Sequence, residues 1–442
     1  MRALLDANIL AGPLLYLVYA VAAALAIVVA IGVFGRLGSR RVWALRVIAA
    51  ATVGGATGLV LSWLVADVWN LFGAPVSAPT QAWSSATLAG IAVATNAFWR
   101  TRWWTKVTAA VAIFAILAAG LLGINADIGE YHSLRSVFST QIRPIALPSK
   151  PAASPLPSPV PDTRPLWQSW TPPADMPASG QLGGMSIPGV VSKFPARQAV
   201  LYLPPAALVA DPPPLPVVIA LSGQPGQPMN VFETANLHSM LEEFQKAHDG
   251  LSPIVIAPDQ LGAPYANPMC VDSPLGNSAT YLTVDVPAWI RSHLHVQSGP
   301  ASWAIGGFSQ GGTCAIQLGA AHPELFGAIL DVSGELVPRN GTPQHTIDVG
   351  FGGDAAAYER AKPVNILAAH APYSNMTAIF AVGQTDARYT PWEHEMAAAA
   401  QAAGMTTTFI VAPGTGHDWH TASYALAAGM RILSAKFGLA SQ

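Results

Sequence analysis

An α/β domain on a mostly parallel sheet, set behind an all-helical apolar segment, is the fold class this sequence predicts. Three observations predict it. Residues 1–128 hold most of the apolar excess and little of the charge. A Pro-rich stretch follows them. Beyond it, short continuous apolar runs alternate with helical stretches, and one run leads straight into a Gly-x-Ser-x-Gly string.

The chain has 442 residues, 51% hydrophobic and 10% charged. Ordinary soluble domains carry about 25% charged residues. The net charge of -2 offers no basic face for nucleic acid. Cys270 and Cys314 are the only cysteines, so no zinc-type cluster is present in the sequence.

Four apolar stretches predict four transmembrane helices: Ile9 to Phe34, Val47 to Val68, Trp83 to Trp99, and Val107 to Ile124. The third is the shortest and weakest. The others approach or exceed the ~20 residues a helix needs to cross a bilayer. A cleaved leader is the alternative for the first stretch, but three further stretches follow it. Arg36, Arg40, Arg41 and Arg46 lie between the first two spans, and Arg100, Arg102 and Lys106 between the last two. The loop from Trp69 to Ala82 has no Lys or Arg. An excess of Lys and Arg marks cytoplasmic loops, so both ends of the segment are expected outside. Trp43, Trp69, Trp83, Trp99, Trp103 and Trp104 fall near span ends, where interfacial aromatics belong.

Residues 129–178 read as a linker. Pro144 to Pro177 is rich in Pro, Ser and Ala, a composition that favours an extended, semi-rigid spacer. Residues 179–442 read as the α/β domain. Its expected strands are 199–203, 216–221, 254–257, 303–306, 328–332, 377–382 and 408–411. Unbroken apolar runs suit parallel strands buried on both faces, and about 260 residues is ample for one such core.

The string Gly307-Phe308-Ser309-Gln310-Gly311 sits between an apolar strand and a small-residue helix. That placement is the nucleophile elbow of the α/β-hydrolase fold. A serine nucleophile needs a histidine base, and the histidine needs a carboxylate to hold its tautomer. In this fold the chain order is Ser, acid, His. His417, in a glycine-rich loop after the last strand, is the expected base, with His420 its near rival. Asp386, just past the strand ending at Val382, is the expected acid, with Asp331 and Glu393 as rivals. His417 and His420 lack a third metal ligand, so neither metal nor cofactor is expected. The oxyanion hole needs two backbone N–H groups. Gln310 is expected to supply one. Gln224, in the loop Ser222-Gly223-Gln224-Pro225, is expected to supply the other, since Pro225 has no N–H.

These stretches resemble the Putative esterase family of α/β-hydrolases, which includes esterase D or S-formylglutathione hydrolases, feruloyl esterases and mycobacterial mycolyltransferases. The resemblance rests on Val200-Leu201-Tyr202-Leu203-Pro204, on 281–290, on Gly306 to Gly312, on His322-Pro323-Glu324-Leu325-Phe326, and on Gly416-His417-Asp418-Trp419. It implies the triad Ser309, Asp386 and His417. The membrane segment and Pro-rich stretch are similar to those of actinobacterial envelope esterases. Mycolyltransferases carry Asp-Gly-Leu-Arg where this chain has Ser222-Gly223-Gln224-Pro225, which argues against sugar binding there.

The expected activity is therefore a membrane-anchored serine esterase, acting outside the cell on an ester of lipid or envelope origin. Acyl transfer to a sugar or lipid alcohol is the alternative within the same chemistry. A non-catalytic envelope protein on the hydrolase fold is the alternative of another class. On the outside of a cell, Cys270 and Cys314 could join as a disulfide clamping a substrate-side loop to the nucleophile helix; two buried thiols are the other reading.

Overall fold

The computed structural model describes residues 5–37, 39–69, 75–99, 102–138, 142–148 and 164–441. It forms two compact units, Met1–Thr140 and Gln141–Gln442.

The first unit has four long helices: α1 (Pro13–Leu37), α2 (Arg40–Trp63, prolonged by a π-helical turn Leu64–Val68), α3 (Ala78–Thr95) and α4 (Trp103–Ile128). α1 packs on α4, α4 on α3, and α3 on α2. Large apolar side chains such as Leu17, Ile31, Leu45, Val53, Phe114 and Leu121 face outward. Among the described residues, three helices are long and apolar enough to cross a membrane: Pro13–Gly32, Arg40–Val68 and Trp103–Ile128. The count expected from the sequence was four, and the expected third span is the correction. Its helix is present but starts at Ala78, which brings Thr80 and Gln81 into it beside Ser84, Ser85 and Thr87. Those polar residues lower its hydropathy. Their small size has a packing use. A Cβ on Gly54 of α2 would lie 2.4 Å from the Leu88 carbonyl oxygen, and one on Gly58 would lie 2.6 Å from the Ser85 Cα. Glycine thus lets the two backbones touch, as small residues do between membrane helices.

Asp127, near the end of α4, accepts from the Ser77 hydroxyl and from Thr80 Oγ1 at 2.6 Å, tying the start of α3 to the end of α4. The entry and exit of the bundle also meet. Ile9 N–H donates to the His132 carbonyl at 3.0 Å, and Arg135 Nε pairs with Asp6 at 2.6 Å.

The second unit carries an eight-stranded sheet. Its strands in chain order are β1 (Gln181–Met185), β2 (Ala199–Leu203), β3 (Val217–Leu221), β4 (Ile254–Ala257), β7 (Trp303–Phe308), β8 (Ala328–Val332), β9 (Thr377–Gly383) and β10 (Thr406–Ala412). The spatial order is β1-β2-β4-β3-β7-β8-β9-β10. β1 and β2 run antiparallel to their neighbours and all other pairs are parallel. The short β5 (Asp272–Ser273) and β6 (Gly276–Asn277) form a separate hairpin. β3, β4, β7 and β8 are buried along their whole length, as continuous Val, Ile, Leu and Ala runs require. Around the sheet lie α5 (Leu237–Ala247), α6 (Val286–His293), α7 (Gln310–Ala321), α8 (Pro343–Phe351), α9 (Ala355–Ala361), α10 (Pro363–His370), α11 (Tyr389–Ala402) and α12 (Trp419–Lys436). Parallel strands send all their carboxyl ends to one edge, where this topology builds sites.

Within the expected linker, residues 139–141 and 149–163 lie outside the described residues. Residues 142–148 and side chains such as Leu166 and Trp170 are ordered against the sheet. Residues 142–148 run beside β1, with Gly184 N–H donating to the Arg143 carbonyl at 2.7 Å. Ile142, Ile145, Leu147, Leu166 and Trp170 pack on the core. The domain therefore begins earlier in the chain than the apolar pattern indicates.

Candidate active site

Ser309 sits between β7 and α7 with φ 57° and ψ -119°. A non-glycine residue there is strained and persists only where its surroundings hold it. Its N–H donates to the Val332 carbonyl at 2.8 Å. The flanking glycines make the turn sterically feasible. A Cβ on Gly307 would lie 2.5 Å from the Gly311 carbonyl carbon, and one on Gly311 would lie 2.5 Å from the Ser222 carbonyl oxygen.

His417, in the loop between β10 and α12, places Nε2 2.9 Å from Ser309 Oγ. Its Nδ1 lies 3.1 Å from Asp386 Oδ2. With the Nδ1 proton on the carboxylate side, Nε2 is free to accept the hydroxyl proton. Asp386 follows β9, and its Oδ1 accepts from Tyr389 N–H at 3.0 Å. The imidazole stacks on the Tyr389 ring at 3.9 Å and packs beside Phe308 at 5.0 Å. These contacts limit ring rotation. Sequence reading did not single out Tyr389; an aromatic three residues past a candidate acid was the available signal.

The rival acids lie elsewhere. Asp331 at the end of β8 and Glu393 on α11 are both buried, and the charge of Asp331 acts on Glu393. Glu393 Oε1 also accepts from Gly334 N–H at 2.5 Å. Burial pushes the Asp331 carboxyl up to about 7. Burial, and then the Asp331 charge, push Glu393 well above the usual carboxylate range. Glu335 is raised to about 7 by burial, against the pull of Arg339 and Arg388. His420 lies in the first turn of α12 rather than on Ser309.

The loop after β3 comes close to Ser309: a Cβ on Gly223 would lie 3.6 Å from the Ser309 Cβ. Gln224, next in that loop, donates from Nε2 to the Tyr265 carbonyl at 3.2 Å. Gln310 opens α7, where backbone N–H groups have no intrahelical acceptor. Cys270 and Cys314 are joined as a disulfide with Cα atoms 5.5 Å apart, linking the loop before β5 to α7. Among the described residues no group of His, Cys, Asp and Glu is arranged to hold a metal.

Such an arrangement can deprotonate a hydroxyl and stabilise the resulting imidazolium. Comparison with known proteins agrees with this chemistry. A family model described as Putative esterase matches residues 196–425, just over half of the chain. An uncharacterised protein of Corynebacterium glutamicum is 40% identical over 242 residues, 53% of this chain and 56% of that protein. The match thus spans little more than half the length of that relative. Among solved structures, an S-formylglutathione hydrolase from Agrobacterium tumefaciens superposes with a TM-score of 0.50 at 20% identity, covering 59% of this chain and 97% of its own. A ferulic acid esterase does so with a TM-score of 0.50 at 17% identity, covering 60% of this chain and 100% of its own. At such identities the likeness is one of fold. The elbow, the parallel sheet and the family match lead to one conclusion: this chain belongs to the Putative esterase family, with a serine hydrolase type of α/β fold.

Proposed function

We propose that this protein is a membrane-anchored serine esterase whose catalytic residues are Ser309, His417 and Asp386. The observation that carries the reading is the unbroken chain of contacts from Ser309 Oγ through His417 to Asp386. Ser309 Oγ attacks the ester carbonyl carbon while His417 Nε2 takes its proton. The tetrahedral oxyanion is stabilised by the N–H groups of Gln224 and Gln310. Its collapse breaks the bond to the alcohol, which leaves with the proton from His417. Water then attacks the acyl-enzyme, again giving a proton to His417, and the acid departs as Ser309 recovers its own. The loop Ser222-Gly223-Gln224-Pro225 offers no charged side chain for a sugar acceptor, which favours water.

Three apolar helices support membrane embedding. α3 is less apolar, but it lies between α2 and α4 and shares its contacts with both. The meeting of residues 8–9 with 132–133 at one end of the bundle supports a chain that enters and leaves the bundle on the same side. The Arg- and Lys-bearing loops and the disulfide support a reading in which those loops lie inside and the catalytic unit outside the cell. An ester of the envelope or of a lipid is the substrate class such tethering favours.

The test is Ser309→Ala in the full-length protein. Hydrolysis of a short nitrophenyl ester is expected to fall at least about a thousandfold, together with loss of labelling by a fluorophosphonate. Retained hydrolysis would sink the assignment.

A further inference from the structure

Gln260 is fully buried just past the carboxyl end of β4, and nothing in the hydrolase motif calls for it. Its Nε2 donates to the Ser222 carbonyl at 2.6 Å and to Gln310 Oε1 at 3.2 Å. One amide nitrogen therefore holds both segments from which the oxyanion N–H groups are drawn. Its Oε1 has no hydrogen-bond partner among the described residues. A buried amide left half-satisfied costs stability.

The consequence follows from peptide geometry. A carbonyl and the N–H of the same trans peptide point in opposite directions. Fixing the Ser222 oxygen on Gln260 therefore fixes the direction of Gly223 N–H, and with it the path into Gln224. The far end of the same loop is also held: Arg197 Nη2 donates to the Gly226 carbonyl at 3.0 Å. Arg197 is itself gripped by the buried Asp259, with Nη2 2.7 Å from Oδ1 and Nε 2.9 Å from Oδ2. Asp259 and Gln260 are neighbours, so two adjacent residues shortly after β4 secure both ends of the loop after β3. On the other side, Gln310 Nε2 donates to Asn267 Oδ1 at 3.2 Å, and Asn267 Nδ2 donates to the Arg339 carbonyl at 2.8 Å. The Gln260–Gln310–Asn267 amides form a continuous chain.

We propose that Gln260 is a positioning residue that sets the oxyanion-binding geometry by tying the Ser222 carbonyl to the Gln310 side chain. The proposal rests on the esterase reading above for its catalytic meaning. It makes no contact with the triad necessary, so its loss acts on transition-state stabilisation rather than on the proton relay.

The experiment uses the full-length protein in detergent with Gln260→Met, which keeps the length of the side chain but removes both donors. The expected result is a fall in kcat of about tenfold to a hundredfold, below the loss for a direct oxyanion donor, with KM changed less than threefold. The acid limb of the pH profile stays in place because His417 and Asp386 are untouched. Amide exchange over residues 222–226 accelerates. Gln317→Met is the control. It removes another buried amide, on the same helix as Gln310, and should leave kcat within about twofold. A kcat near wild type in Gln260→Met, or an equal loss in both variants, overturns the proposal. Unchanged exchange over 222–226 overturns it as well. If the wild type proves inert to esters and phosphonates, the esterase reading falls; faster exchange in Gln260→Met still upholds the tie.

Discussion

Three carboxyls competed for one role at the level of single residues, and separation decides between them. Asp386 lies 3.1 Å from the imidazole, whereas Asp331 and Glu393 are engaged with each other. The buried pair has its own consequence. In an unfolded chain both groups titrate near 4. In the fold, burial pushes the Asp331 carboxyl up to about 7, and burial with the Asp331 charge raises Glu393 well above its ordinary value. The native state then binds more protons than the unfolded one, so stability falls as pH rises through that window. Glu393→Gln removes one titrating carboxyl while keeping an oxygen for Gly334 N–H. Its melting temperature should decline less than that of the wild type from pH 5 to pH 8, a window of about three units above the unfolded values. An equal or steeper decline would contradict a raised Glu393 carboxyl in the fold. The neighbouring Glu335 carries a shift of the same direction and sets a common background in both proteins.

Elements meet at this site through one covalent link as well as hydrogen bonds. The Cys270–Cys314 disulfide closes a separation of 44 residues and fastens the loop before β5 to the helix that begins at Gln310. Asn267, three residues before Cys270, holds the Gln310 side chain. Closing a loop of this length contributes on the order of 2–4 kcal/mol. The double variant Cys270→Ser, Cys314→Ser should therefore unfold at a lower denaturant concentration, and reductant should shift the wild type in the same direction. Identical midpoints with and without reductant would show that the link adds nothing. In the membrane unit the corresponding joint is non-covalent. Gly54 and Gly58 let α2 lie on the backbone of α3, and Gly120 and Gly123 receive Thr87 and Trp83 from the other side. That spacing was present in the sequence. It is a packing signal, and a reading by hydropathy alone passes over it.

At the scale of the whole molecule, the proposed orientation makes a direct prediction. Protease added to intact cells should release the Gln141–Gln442 unit, because the proposed orientation has that unit outside. Release only after permeabilisation would reverse the orientation. Much of the catalytic unit was legible in the sequence. Ser309 was marked by a local turn that only small neighbours permit, and β3, β4, β7, β8, β9 and β10 were marked by unbroken apolar runs. β1 was missed, because Gln181-Leu182-Gly183-Gly184-Met185 has no such run and is a strand by virtue of its pairing with β2. Gln260 was missed for a similar reason: a lone Gln after a strand carries no local signature, and its importance comes from two acceptors 38 and 50 residues away. By itself the sequence pointed to the candidate nucleophile, the chain order of its proposed partners, the parallel sheet and the apolar character of the first 128 residues. Those properties reside in short-range sterics and hydrophobic pattern. Only the tertiary structure decided which carboxylate faces His417, which amide ties the oxyanion loops and how a weakly apolar α3 is accommodated, since each depends on distances between segments that the order of residues does not encode locally.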